Sequence, residues 1–143
     1  FEKAINNSNQ VAMSLCDLFC VERHKDQFIN LVKNKLDIVF ANEQEILSLI
    51  NSKSFNDVVS FSKELKKNII ITRGDKGAVA IKDQTVHECP AKKNIKIKDL
   101  TGAGDLFAAG YLHGIINKMS IEDSLKKGTE MSTKIIQKIG ARI

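Results

Sequence analysis

The residues best placed to do chemistry run Asp99-Leu100-Thr101-Gly102-Ala103-Gly104-Asp105 and lead straight into a helical pattern. Small residues let backbone approach a ligand closely, and consecutive free N–H groups at a helix start form an anion pocket. A carboxylate at Asp105, in the first turn, is favoured by the same helix dipole. An anion pocket beside a carboxylate suits phosphoryl transfer. The amides stabilise charge on the moving group, while the carboxylate accepts the proton of an attacking hydroxyl. The same spacing also describes a tight turn whose aspartate caps a helix, and the glycines alone do not choose between the two.

The elements that must hold this loop alternate between two periods. Residues 11–15 read as a buried strand ending in a polar loop, and Phe28, Leu31, Val32 and Leu36 predict a helix over about 24–35. Residues 37–41 are a second strand, followed by helices at 43–50 and 55–65, the latter with Phe55, Val58, Val59, Ser62 and Leu65 on its inner face. The β-branched run 68–72 predicts a central parallel strand. Gly74 and Gly77 then punctuate a turn before a hairpin-like stretch from 78 to 86. Ile95 and Ile97 alternate after Pro90. Helices over about 103–117 and 120–138 close the pattern, with Ser120 an N-cap and Asp123 three residues on. Such alternation predicts an α/β layered fold with a mainly parallel sheet. Ligands in such sheets sit beyond the carboxyl ends of the strands, here near Asn42, Thr72 and Asp99. Each of these has a plainer role too: Asn42 as a helix cap, Glu45 as a first-turn surface carboxylate, Thr72 as a β-former. Gly110 and Gly114, one turn apart, predict close helix packing. Cys16 and Cys20 read as loop or core residues, and Arg23 and His24 as loop residues open to a phosphate or substrate contact.

At 143 residues the chain is the length of one domain, and 43% apolar, 27% charged residues and a single proline exclude disorder and low complexity. No apolar run approaches the ~18 residues of a membrane span. The chain begins with Phe1 and no signal segment follows, so the expectation is a portion of a longer polypeptide. The net charge of +5 comes from 19 lysines dispersed along the chain, with only Arg23, Arg73 and Arg142 as arginines and no Trp. That distribution argues against a nucleic-acid partner. Three cysteines and three histidines at no metal-ligand spacing predict neither a zinc site nor disulfides, and hence a reducing cytoplasmic location.

The stretch DLTGAGDLFAAG (99–110) resembles the C-terminal signature of the ribokinase, or PfkB, family of carbohydrate and nucleoside kinases. Three further stretches fall in the family's order: Asn42-Glu43-Gln44-Glu45 like its Asn-x-x-Glu motif, Thr72-Arg73-Gly74 with Gly77 like its Thr-x-Gly loop, and Gly140-Ala141-Arg142 like its closing turn. Residues 15–24 (LCDLFCVERH) are most similar to bacterial adenosine kinases within it. The resemblance implies a ribokinase-like three-layer α/β/α fold, of which residues 1–143 are the C-terminal, ATP-binding and catalytic portion. It further implies that the family's N-terminal substrate and lid portion lies outside these residues.

By the same resemblance, Asp105 is the general base and Gly102, Ala103 and Gly104 supply the anion-hole amides. Thr72, Gly74, Gly77, Thr101, Gly102, Gly104, Thr129 and Gly140 bind ATP, with Thr129 on the adenine side. Asn42 and Glu45 order Mg²⁺ through water, since Mg²⁺ keeps its hydration shell. Asp99, with Thr101 and backbone near Gly140, sits where relatives bind a monovalent cation such as K⁺. Leu100 stands where threonine is frequent, and its side chain is expected to point away from the phosphates. The implied reaction is ATP-dependent phosphorylation of a primary hydroxyl on a sugar or nucleoside, adenosine first, by a monomer or homodimer. The alternative is a nucleotide-binding module, or a fragment without turnover of its own.

Overall fold

The structure is a computed structural model that describes residues 2–142. Its elements are α1 (Glu2–Asn7), β1 (Ala12–Ser14), α2 (Leu18–Arg23), α3 (Lys25–Asn34), β2 (Ile38–Asn42), α4 (Glu43–Leu49), α5 (Phe55–Leu65), β3 (Asn68–Thr72), a 3-10 turn (Gly74–Lys76), β4 (Ala78–Lys82), β5 (Thr85–Cys89), α6 (Ala103–Ile116) and α7 (Ile121–Ile135). The five strands form one sheet in the order β1-β2-β3-β4-β5. β1 and β2 are parallel, with Ala12 opposite Ile38 and Ser14 opposite Phe40. The crossover through α4 and α5 makes β2 and β3 parallel as well. The connections β3–β4 and β4–β5 are too short for a parallel crossover, so the sheet is parallel at its start and mixed from β3 onward. The second connection is Asp83-Gln84, both at positive φ (48° and 65°), the backbone of a two-residue hairpin turn.

Two compact units divide the chain: Phe1–Ile71 with Ile81–Val86, and Thr72–Ala80 with His87–Ile143. In the first, Ile38–Ala41 and Asn68–Ile71 are buried without interruption, as strands covered on both faces must be. Leu15, Val21, Val32, Leu36, Ile46, Leu49 and Val58 close around them. Of the five residues expected on the inner face of α5, Val58 and Ser62 are buried, and Phe55, Val59 and Leu65 are half-buried.

In the second unit α6 packs against α7. A Cβ on Gly110 would stand 2.7 Å from the Lys127 carbonyl, and one on Gly114 2.4 Å from Ser124 Oγ, so the close packing expected of this pair is observed. Tyr111, Phe107, Leu125 and Ile135 form its core.

Two local expectations give way. Residues 18–23, expected as loop, are helical because Asp17 accepts hydrogen bonds from the Phe19 and Cys20 amides (2.8 and 3.4 Å) and so caps a turn that buries Val21. Arg23 lies on that helix with its guanidinium over the Phe19 ring at 4.3 Å. The Ile95/Ile97 alternation belongs to no strand, since residues 90–102 pair with no neighbouring strand.

Candidate active site

The turn after β3 is built around Gly77. Arg73 N–H donates to the Gly77 carbonyl (2.8 Å) and Gly77 N–H to the Gly74 carbonyl (3.1 Å). At φ 93°, ψ −139°, Gly77 has a backbone that L side chains do not adopt, and a Cβ there would lie 2.1 Å from the Cys89 carbonyl oxygen. Glycine at 77 is therefore explained by packing of this turn onto the end of β5.

The second side of the site is the entry to α6. Asp99 fastens it: Oδ1 accepts from the Thr101 amide (2.9 Å) and hydroxyl (2.7 Å), and Oδ2 accepts from the Gly140 amide (2.9 Å). The Thr101 hydroxyl first, then the two amides, hold the Asp99 carboxyl down at about 2. Lys98 N–H donates to the Ile136 carbonyl (2.8 Å), a further tie between this loop and the end of α7. Gly102 is the N-cap of α6 at φ 77°, a left-handed position that favours glycine, and it offers no side-chain cap. The Leu106 amide bonds back to the Gly102 carbonyl at 2.9 Å, whereas the N–H groups of Gly104 and Asp105 donate to no acceptor among the described residues. A Cβ on Gly104 would meet nothing within 4 Å, and its backbone is helical. Neither packing nor conformation requires glycine there, although glycine in a helix costs about 0.5–1 kcal/mol relative to alanine. Asp105 is exposed on the first turn.

Between these sides lies a cavity of about 390 Å³, wholly within the second unit. Thr72, Gly74 and Gly77 from the turn, Ala103 and Gly104 from α6, and Thr129 from α7 all line it. Six of the residues singled out from sequence are thus brought together. Thr101, Gly102, Asp105, Asp99 and Gly140 do not line it; Asp99, Thr101 and Gly140 belong to the fastening. Leu100 also lines the cavity, while remaining 65% exposed. Residues the sequence did not single out complete the walls, chiefly Ala91, Ile95, Ile97, Phe107, Ser132, Thr133 and Ile136, with Asp75 and Lys92 as charged members. Their available signal was the placing of apolar Ile95 and Ile97 in an otherwise lysine-rich loop.

Asn42 and Glu45 belong to the first unit and close on each other. Asn42 Oδ1 accepts from the Glu45 amide (2.8 Å), Glu45 Oε2 accepts from the Asn42 amide (2.9 Å), and Asn42 Nδ2 donates to Glu45 Oε1 (2.7 Å). This is a capping box at the start of α4. Burial raises the Glu45 carboxyl above its ordinary 4.5, against the lowering hydrogen bond from Asn42, and the charge of Asp17 raises it further. Among the described residues no group of three or more His, Cys, Asp or Glu could hold a metal ion, and no helix is long and apolar enough to cross a membrane.

Comparison with known proteins agrees with this architecture. The cytidine kinase of Thermococcus kodakarensis is 33% identical over 112 residues, covering 76% of this chain and 40% of that protein. Adenosine kinase 2 of Arabidopsis thaliana is 29% identical, covering 97% of this chain and 44% of its own length. Among solved structures, a probable sugar kinase from Rhizobium etli superposes with a TM-score of 0.92 at 37% identity, over 99% of this chain and 43% of that one. The adenosine kinase of Sinorhizobium meliloti gives a TM-score of 0.88 at 34% identity, over 94% of this chain and 41% of that one. The fold is therefore the ribokinase-like α/β fold, and the chain spans less than half the length of these relatives. With the description "pfkB family carbohydrate kinase" matching residues 2–143, the chain belongs to the pfkB family of carbohydrate kinases.

Proposed function

We propose that this chain is the ATP-binding and catalytic portion of a kinase that phosphorylates a primary hydroxyl of a sugar or nucleoside, adenosine being the first candidate. The observation that carries the proposal is the start of α6: two N–H groups without acceptors among the described residues, a glycine that the protein's own packing does not need, and a cavity alongside. A helix start left open in this way suits a phosphate group. The cytidine, adenosine and sugar kinases among the relatives support the acceptor class.

In this reading the γ-phosphoryl group lies against the Gly102, Ala103 and Gly104 amides, where charge developing during transfer is stabilised. Asp105 takes the proton of the attacking hydroxymethyl group; its exposed carboxylate on the first turn leaves it accessible to an acceptor. Thr72, Gly74, Gly77 and Thr129 line the nucleotide's cavity. Asp99 and Thr101, through Gly140, hold the loop that presents the amides, beside the place proposed for a monovalent cation.

Mg²⁺ supplies charge neutralisation on the phosphates when bound. The Asn42–Glu45 pair fits a hydrated ion better than direct ligation, because both Glu45 oxygens already accept hydrogen bonds from Asn42. A cytoplasmic location and a monomeric or homodimeric state complete the proposal.

The test is Asp105→Asn in the complete polypeptide that carries this chain. The expected result is a loss of kcat of about 10²–10⁴-fold with ATP·Mg²⁺ binding retained; near-normal turnover would remove Asp105 as the base. A second reading is a nucleotide-binding module without turnover, which the cavity's place wholly within the second unit also fits. Titrating the 143-residue chain with ATP·Mg²⁺ while following ADP release separates the two.

A further inference from the structure

The lysines are spread along the chain, but their balance against acidic residues is not. Thr72–Ala80 with His87–Ile143 carry 12 Lys and Arg against 7 Asp and Glu, whereas Phe1–Ile71 with Ile81–Val86 carry 10 of each. The whole net charge of +5 therefore belongs to the unit that contains the cavity. Its densest part runs from Pro90 to Lys98, where Lys92, Lys93, Lys96 and Lys98 fall within seven residues with no acidic residue among them. All four are exposed, and among the described residues none of their side chains makes a hydrogen bond or ion pair.

The same segment walls the cavity. Ala91, Lys92, Ile95 and Ile97 line it, while Lys93, Lys96 and Lys98 stand between and beside those positions without lining it. The one carboxylate among the lining residues is Asp75. Unpaired cations beside an apolar, low-dielectric wall concentrate their field at the opening of a cleft. Lysine suits that task, because a hydrated point charge on a flexible stem attracts an anion without the rigid fork by which arginine grips one. Charges at the rim of a site act on the approach of a ligand more than on its bound contacts.

We infer that Lys93, Lys96 and Lys98 form an electrostatic funnel that draws a polyanion, a nucleoside triphosphate, into the cavity and so speeds its capture without holding it once bound. The inference rests on the cavity being the donor site.

It is tested by stopped-flow association of fluorescent N-methylanthraniloyl-ATP·Mg²⁺ with the complete polypeptide. Wild type is set against two triple variants, Lys93→Gln/Lys96→Gln/Lys98→Gln and Lys93→Arg/Lys96→Arg/Lys98→Arg. At about 0.01 M salt, where the Debye length is about 30 Å, the glutamine variant should associate about tenfold more slowly with its dissociation rate unchanged. Near about 1 M salt, where that length is about 3 Å, the two should converge. The arginine variant keeps the charge and should match wild type throughout, which separates charge from loop shape. Equal association rates in wild type and the glutamine variant would overturn the funnel alone. So would a slowing that persists at high salt, an equal slowing in the arginine variant, or faster dissociation in the glutamine variant. Failure of the wild type to bind the labelled nucleotide would overturn the donor site itself, and the inference with it.

Discussion

Two helix starts in this molecule receive the chain in opposite ways. α4 begins in a closed circuit: Asn42 and Glu45 satisfy each other's amides, and Glu45 is buried. α6 begins open, with glycine at its N-cap, no side-chain cap, and two N–H groups without acceptors among the described residues, beside a cavity. At α4 the side chains stabilise the helix itself. At α6 the fastening is displaced one step outward, to Asp99 gripping Thr101 and Gly140, so the loop is held while its amides stay available. An unsatisfied polar group is costly if buried, so a fold keeps such donors where a ligand or water can reach them. In the proposed reading, the difference separates stability from function along one chain.

Substitutions should respect that separation. Gly104→Ala places a methyl group into open space on a helix, so it should leave stability unchanged or raise it by about 0.5–1 kcal/mol. In the proposed reading the same methyl stands where the phosphate approaches, and kcat/KM in the complete polypeptide should fall about 100-fold. Denaturant titration and steady-state kinetics on the same preparation decide it, and full activity would show that α6 is open for no catalytic reason.

At α4 the smaller effect should be on stability: Asn42→Ala removes the cap and should cost about 1 kcal/mol in urea unfolding. An unchanged unfolding midpoint would dissolve the contrast between the two helix starts.

Proton linkage sharpens it further. Because the folded Glu45 carboxyl is raised above 4.5, the folded state binds the proton more tightly, and stability should decline as pH rises from 4.5 through the folded value. Glu45→Gln should abolish that decline in urea melts run across pH 4–7. Asp99 has the opposite sign. Lowered from 3.8 to about 2, it should stabilise the fold above pH 3.8 and lose that contribution as pH falls toward 2. As a partly exposed group it should give the smallest effect, visible as a flatter acid limb in Asp99→Asn.

Much of the architecture was legible because it is written in short-range patterns. The run 68–72 predicted β3 residue for residue, since a β-branched apolar segment between polar flanks has few other places to go. Gly110 and Gly114 announced the approach of α7, because only hydrogen side chains allow backbones that near. Asp99 to Asp105 announced a glycine-built start of α6, and Gly102 stands at its N-cap at φ 77°.

Other features were hidden for equally physical reasons. The Asp17 cap of α2 is one residue of ordinary type in a polar stretch, too faint to mark a helix. Ile95 and Ile97 share the period of a strand, but period reports which way side chains face, not whether a neighbouring backbone is present to pair with.

The amino-acid sequence by itself determined the alternation of strands and helices, the family motifs and the residue types able to carry phosphoryl chemistry, because these depend on neighbours within a turn or two. Only the tertiary structure decided that six of those residues share one cavity and that Asp99 clasps Gly140. It also placed Asp75 and Lys92 on the cavity's wall. Those relations join segments tens of residues apart, and which of them meet is set by long-range packing of the chain.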